Sequence, residues 1–179
     1  MFGKKAVKIG NGISVRPSKS GDKQFLKNLY HSTRNDLSFA VKDEEELSLM
    51  IEQQRTAQIT GYGTTSPNAY EFILEKSSEK IGRLMIDWTG TEIRILDISF
   101  IAAVRDKGGF GSAVIASLQQ AVKANNAAIS MHILKVYVTD FVMCQNLGFR
   151  VKEDKGYGWH MLWSPNWESE NSKKPFIVT

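Results

Sequence analysis

Apolar residues return at two different spacings along the chain, and each change of spacing marks an element. Ile13-Ser14-Val15-Arg16 alternates apolar with polar until Pro17, which predicts a short strand. Ser18, Ser20 and Asp22 offer N-cap chemistry, and Phe25, Leu26, Leu29 and Tyr30 then recur at helical spacing, so a first helix is expected to about Arg34. Asp43 to Glu46 opens a second helix with a cap, a capping-box glutamate and an acidic first turn. Its apolar face, Leu47, Met50 and Ile51, thins towards Gln58, and Gly61 to Asn68 reads as turn chemistry throughout. Three strands follow, Tyr70 to Lys76, Lys80 to Trp88 and Glu92 to Ile101, joined by Ser77-Ser78-Glu79 and Thr89-Gly90 as an antiparallel meander. The third mixes alternation with a continuous apolar run, as a strand buried on both faces does.

The stretch from Leu96 to Val122 organises what remains. An apolar strand enters a short basic loop, the loop ends in Gly108-Gly109-Phe110-Gly111, and a helix spans Gly109 to Asn125. Val114, Ile115, Leu118, Ala121 and Val122 give that helix one broad apolar face. Ala128 to Leu134 is the next strand, expected beside and parallel to Glu92–Ile101 because a crossover helix precedes it. Thr139 or Asp140 caps a short helix through Leu147, stopped by Gly148. Phe149 to Glu153 and Gly158 to Trp163 form a closing hairpin. Residues 1–12 read as an arm or an extra edge strand, 13–163 as one domain and 164–179 as a tail. The expected class is therefore α/β, with a mixed, mostly antiparallel central sheet flanked by helices.

Composition adds bounds. The 179 residues are 42% hydrophobic and 23% charged, which suits a single globular domain. The net charge of +4 comes without a dense Lys/Arg block, so nucleic acid is not indicated as a partner. Cys144 is the single cysteine, which excludes an internal disulfide, and His31, His132 and His160 lack ligand spacing, so no metal site is expected. No run of ~18 apolar residues exists and the N-terminus has no signal-like apolar core, so neither a membrane span nor export is expected. A cytoplasmic, reducing setting fits.

The glycine cluster carries the most chemistry. Where a strand turns through glycines into a helix, backbone N–H groups and the helix dipole converge, and a phosphate is stabilised there. The plainer reading is a tight turn that needs glycine for its dihedrals.

The element order and four segments together resemble the GCN5-related N-acetyltransferases over Ile13 to Trp163. ISVRPSKSGDKQFLKNLYHSTR resembles the family's first strand and helix, and KIGRLMIDWTGTEIRILDISF its third and fourth strands. RDKGGFGSAVIASLQQAV is similar to its acetyl-CoA motif, and NLGFRVKED to the segment after its last helix. The resemblance implies the acyl-CoA N-acyltransferase fold, acetyl-CoA as co-substrate and direct attack by an amine. The family's pyrophosphate loop follows Arg/Gln-x-x-Gly-x-Gly/Ala. Here either Arg105-x-x-Gly108 fits its first half, or Gly109-Phe110-Gly111 fits its second half and Asp106 takes the Arg/Gln place. Arg105, Lys107, Gly108, Gly109, Phe110, Gly111 and Ser112 are thus implied as phosphate-side residues. The resemblance sets the co-substrate where Glu92–Ile101 splays from Ala128–Leu134, with backbone groups of Ile98, Phe100 and Ile101 along the pantetheine arm. An acidic residue near Asp97 is implied as base; Glu92, five residues away, falls on the opposite strand face. Cys144 stands where the family often has a tyrosine acid and Tyr137 where it has an asparagine, so Tyr137, with Tyr157 behind it, is the candidate proton donor. The acceptor would be a small amine or a protein amino group, at a site shaped by Asn35–Lys42 and Gly61–Asn68. The competing expectation is a non-catalytic module of the same fold, either a binding or assembly component of a larger particle or a CoA-binding sensor, with Trp163, Trp167 and Phe176 in tails that dock on a partner; a homodimer is the other assembly expected.

Overall fold

A computed structural model describes residues 6–34, 43–105 and 107–167. Asn35–Lys42, Asp106 and Phe176 lie outside the described residues. The chain divides into two compact units. Of the described residues, the first holds those up to Asp87 together with those from Asp97 to Phe110; the second holds Trp88–Leu96 and those from Gly111 on.

In the first unit the strands run β1 (Val7–Lys8), β2 (Ile13–Pro17), β3 (Tyr70–Lys76) and β4 (Glu79–Trp88), each antiparallel to its neighbour, followed by the C-terminal part of β5 (Glu92–Phe100). The arm therefore does add an edge strand, pairing Val7 with Val15. Ile101 N–H donates to Ile81 O at 2.9 Å, tying the end of β5 to β4. Gly82 is required at this seam, because a Cβ there would lie 2.4 Å from Ser99 O. Ile13, Ile73, Leu74 and Ile86 are wholly buried in this unit.

Helices α1 (Lys23–Ser32) and α2 (Glu44–Thr65) belong to the same unit. Asp43 caps α2 as expected, its Oδ1 accepting the Glu46 N–H at 2.8 Å. Asp22 sits at the α1 N-cap but makes no side-chain cap. Instead it binds Arg16 at 2.7 Å and Lys80 at 2.7 Å. The turn expected from Gly61 onward is a helix: α2 continues through Gly61-Tyr62-Gly63-Thr64-Thr65. Two glycines cost a helix about 1 kcal/mol each. Tyr62 is half-buried there, close enough to feel Asp97 and Arg83, and the helix stops at Ser66, just ahead of Pro67.

In the second unit the N-terminal part of β5 pairs parallel with β6 (Ala128–Leu134), from Glu92↔Ala128 to Ile95↔Met131. Strands β8 (Gly158–Trp163) and β7 (Arg150–Asp154) follow in the order β5-β6-β8-β7. The crossover helix α3 spans Phe110–Lys123, one to two residues inside its expected ends. Val114, Ile115, Leu118 and Val122 are buried, but Ala121 is exposed. Gln119 is buried in addition, donating to Leu147 O at 2.7 Å. Helix α4 (Val138–Asn146) has Tyr137 rather than Thr139 or Asp140 at its N-cap position. Among the described residues no helix is long and apolar enough to cross a membrane. The fold is mixed α/β with a mostly antiparallel set of strands, as the periodicities imply.

Candidate active site

Beyond β5 the backbone folds into successive turns. Val104 and Arg105 N–H groups both donate to Ile101 O at 3.1 Å, and Lys107 N–H donates to Val104 O at 3.1 Å. Gly108 (φ +71°) and Gly109 (φ +61°) then bring the chain to the start of α3 in two consecutive left-handed steps. Few residues other than glycine adopt that conformation cheaply. A Cβ on Gly108 would also lie 3.0 Å from the Phe110 ring. Phe110 opens α3 with its ring buried, 6.1 Å from the ring of Phe100. The ring thus forms the floor of the loop, and Gly109 and Gly111 flank it on the chain. Gly111 and Ser112 lie in the first turn of α3, the positive end of its dipole.

Arg105 is folded back on its own backbone. Its Nη2 donates to Ser32 O at 2.9 Å and to Phe100 O at 3.3 Å. Lys107 is exposed at the loop edge. Two further residues reach the loop from the first unit. Asn11 Nδ2 donates to Gly108 O at 2.8 Å and lies 3.4 Å from Gly109 O. Lys76 Nζ stands 4.5 Å over the Phe110 ring. Nothing local in the sequence marks either: Asn11 is 97 residues away from Gly108, and Lys76 ends an ordinary strand.

Along β5, Ile101 N–H is spent on β4. Next to it on the chain, the Phe100 carbonyl accepts from the Arg105 guanidinium. Asp97 is held by Arg83, whose Nε and Nη2 both lie 2.9 Å from Oδ2, and by the hydroxyl of Ser99. Glu71 is 3.6 Å and Gln58 3.4 Å from the same guanidinium. Burial opposes the charge on Arg83, but Asp97, with Glu71 assisting, raises the guanidinium further. Burial, reinforced by Asp97, also raises the Tyr62 phenol, so it stays a proton-bearing donor at neutral pH.

In the second unit, Glu92 accepts a hydrogen bond from Ser130. Cys144 is wholly buried with Sγ 3.4 Å from Met131 Sδ, and burial pushes its thiol up to about 12. It is a core residue. Tyr137 is 53% exposed and Tyr157 68% exposed. The rings of His132 and His160 stack at 4.6 Å across β6 and β8, and burial lowers both imidazoles. Among the described residues no group of three or more His, Cys, Asp or Glu side chains could hold a metal ion. A hollow of about 700 Å³ along Glu52, Thr56 and Thr60, and one of about 500 Å³ between Gln119, Leu147 and Trp167, do not include the loop.

No protein-family model and no curated protein sequence matches the chain. Solved structures do. PaiA N-acetyltransferase from Thermoplasma acidophilum, in complex with coenzyme A, aligns with a TM-score of 0.63 at 13% identity, over 85% of this chain and 98% of that one. Spermidine N-acetyltransferase from Vibrio cholerae, in complex with CoA and spermine, gives 0.59 at 15% identity over 88% and 98%. Ribosomal-protein-S5-alanine acetyltransferase from Vibrio fischeri gives 0.56 at 17% identity over 89% and 95%. The fold of this chain is the one these acetyltransferases share.

Proposed function

We propose that the protein is an acyl-CoA-dependent N-acetyltransferase, moving an acetyl group from acetyl-CoA to a primary amine by direct attack. The observation that carries this reading is the loop ahead of α3. Two consecutive left-handed glycines deliver the chain into a helix start, in a chain whose fold neighbours include a CoA complex. The donor set fits an anion: a helix N-terminus, a left-handed glycine whose side chain would press on the Phe110 ring, and Lys107 and Lys76 nearby.

The chain's residues divide the work as follows. N–H groups from Gly109 to Ser112 receive the pyrophosphate oxygens. Phe110 supports them from below. Backbone groups of Ile98 and Phe100 pair with the pantetheine arm and polarise the thioester carbonyl, which stabilises the oxyanion as the amine nitrogen bonds to the carbonyl carbon. Asp97, fixed by Arg83 and Ser99, accepts the proton the amine loses, directly or through a water. As the carbon–sulfur bond breaks, Tyr137 gives a proton to the departing thiolate. The neighbours named for spermidine and for ribosomal protein S5 support a small amine or a protein amino group as acceptor.

A second reading is a CoA-binding module without turnover, acting as a homodimer or within a larger assembly. One observation favours it: the carboxylate expected as base is already engaged by a buried arginine. Calorimetric titration with acetyl-CoA, followed by thiol release on a panel of amines, separates the readings. Binding with turnover supports the transferase. Binding without turnover supports the module, and no binding at millimolar ligand excludes both.

A further inference from the structure

The β1–β2 hairpin ends in a closed five-residue tip. Ile9 N–H donates to Ile13 O at 2.8 Å, and Ile13 N–H returns to Gly10 O. Asn11 (φ 58°, ψ 22°) and Gly12 (φ +69°) are both left-handed, which sets the Asn11 side chain at the apex. Asparagine is among the few side-chain-bearing residues that tolerate this conformation. The apex carboxamide spends its N–H groups on the carbonyls of Gly108 and Gly109.

We propose that Asn11 is a positioning residue of the phosphate loop: by holding the Gly108 and Gly109 carbonyls on its own side, it directs the following N–H groups, those of Gly109 and Phe110, to the opposite side. The step from carbonyl to N–H is geometric. No peptide in the described chain is cis, and across a planar trans peptide the C=O and N–H point in opposite directions. Two successive glycines bring no side-chain constraint of their own to the orientation of their peptide planes, and the Asn11 contacts favour the orientation seen. The buried Phe110 ring fixes the end of the loop but bonds to neither carbonyl; Asn11 bonds to one and approaches the other. Pre-orientation of this kind lowers the ordering cost at the moment a ligand binds. The arm is thereby part of the binding machinery rather than a decoration of the sheet edge.

This inference rests on the proposed CoA site and is tested separately from it. Asn11→Gly keeps the left-handed backbone and removes the carboxamide. Asn11→Asp keeps the shape but replaces the donor with an acceptor facing two carbonyls. Calorimetric affinities are measured for CoA and for S-acetyl-pantetheine, which lacks the pyrophosphate, with thermal unfolding recorded alongside. The expected result is a loss of at least about fivefold for CoA in both variants, with S-acetyl-pantetheine affinity unchanged. Unchanged CoA affinity in Asn11→Gly would overturn the inference alone. An equal loss for both ligands would overturn it too, because it would mark a general structural role. Failure of the unaltered protein to bind CoA would remove the proposed function and this inference with it.

Discussion

Arg83 and Asp97 meet across β4 and β5 at 2.9 Å, and Arg83 is only 8% exposed. A charge taken that far from water depends on its partner. Breaking a buried pair typically costs about 3–5 kcal/mol, and Glu71, 3.6 Å from Arg83, brings the expectation to the lower end. Asp97→Asn should therefore destabilise the protein by ~3 kcal/mol in urea unfolding. The double variant Arg83→Met/Asp97→Leu should recover most of that loss. In the folded fraction, Asp97→Asn should slow turnover by about 10²-fold while CoA affinity holds. A stability change under ~0.5 kcal/mol would mean that the pair is not the buried anchor described.

Asp22 gives the pH dependence. The Arg16 guanidinium, hydrogen-bonded to it, holds its carboxyl well below the usual range against the opposing effect of burial, and Lys80 and the Lys19 N–H assist. A depressed carboxyl contributes stability that is fully present above its unfolded value, ~4, and is lost as pH falls towards the folded value. The gap between the unaltered protein and Asp22→Asn should be about 3 kcal/mol at pH 7, hold to pH ~5, and narrow steadily below pH ~4. Chemical denaturation across that range measures it; a gap that widens in acid would reverse the assignment.

Cys144 should behave as a core side chain. Burial raises its thiol to about 12, so native protein offers almost no thiolate to a disulfide reagent. Labelling should be at least about 10³-fold slower in native protein than in urea, because it requires opening of the structure. Cys144→Ser should keep any turnover within about threefold. Rapid native labelling, or a hundredfold loss of turnover, would contradict this placement.

These residues also show what a linear reading can see. β3, β6 and the parallel step between β5 and β6 follow from periodicity and from the crossover rule, because each strand's own side chains set its buried faces. The continuation of α2 through Gly61 and Gly63 does not follow, because the surroundings of Tyr62 between them, Arg83 and Asp97, lie 21 and 35 positions on. Within the loop, the glycines announce left-handed turns, but the role of Phe110 as floor appears only once Phe100 and Lys76 are brought to its ring. Asn11 carries no local signal, since its partners are the carbonyls of a loop 97 positions away. The polar and aromatic partners that refine the site come from long-range packing, whereas the scaffold that presents it comes from local pattern.

The most direct test of the account is calorimetric titration of CoA into the unaltered protein and into Gly111→Val, which puts a branched side chain in the first turn of α3, where the phosphate is proposed to approach. The account predicts saturable binding by the unaltered protein, at least about tenfold weaker in Gly111→Val with thermal unfolding preserved. Equal affinity in the two proteins, or no heat of binding at millimolar CoA, would contradict it.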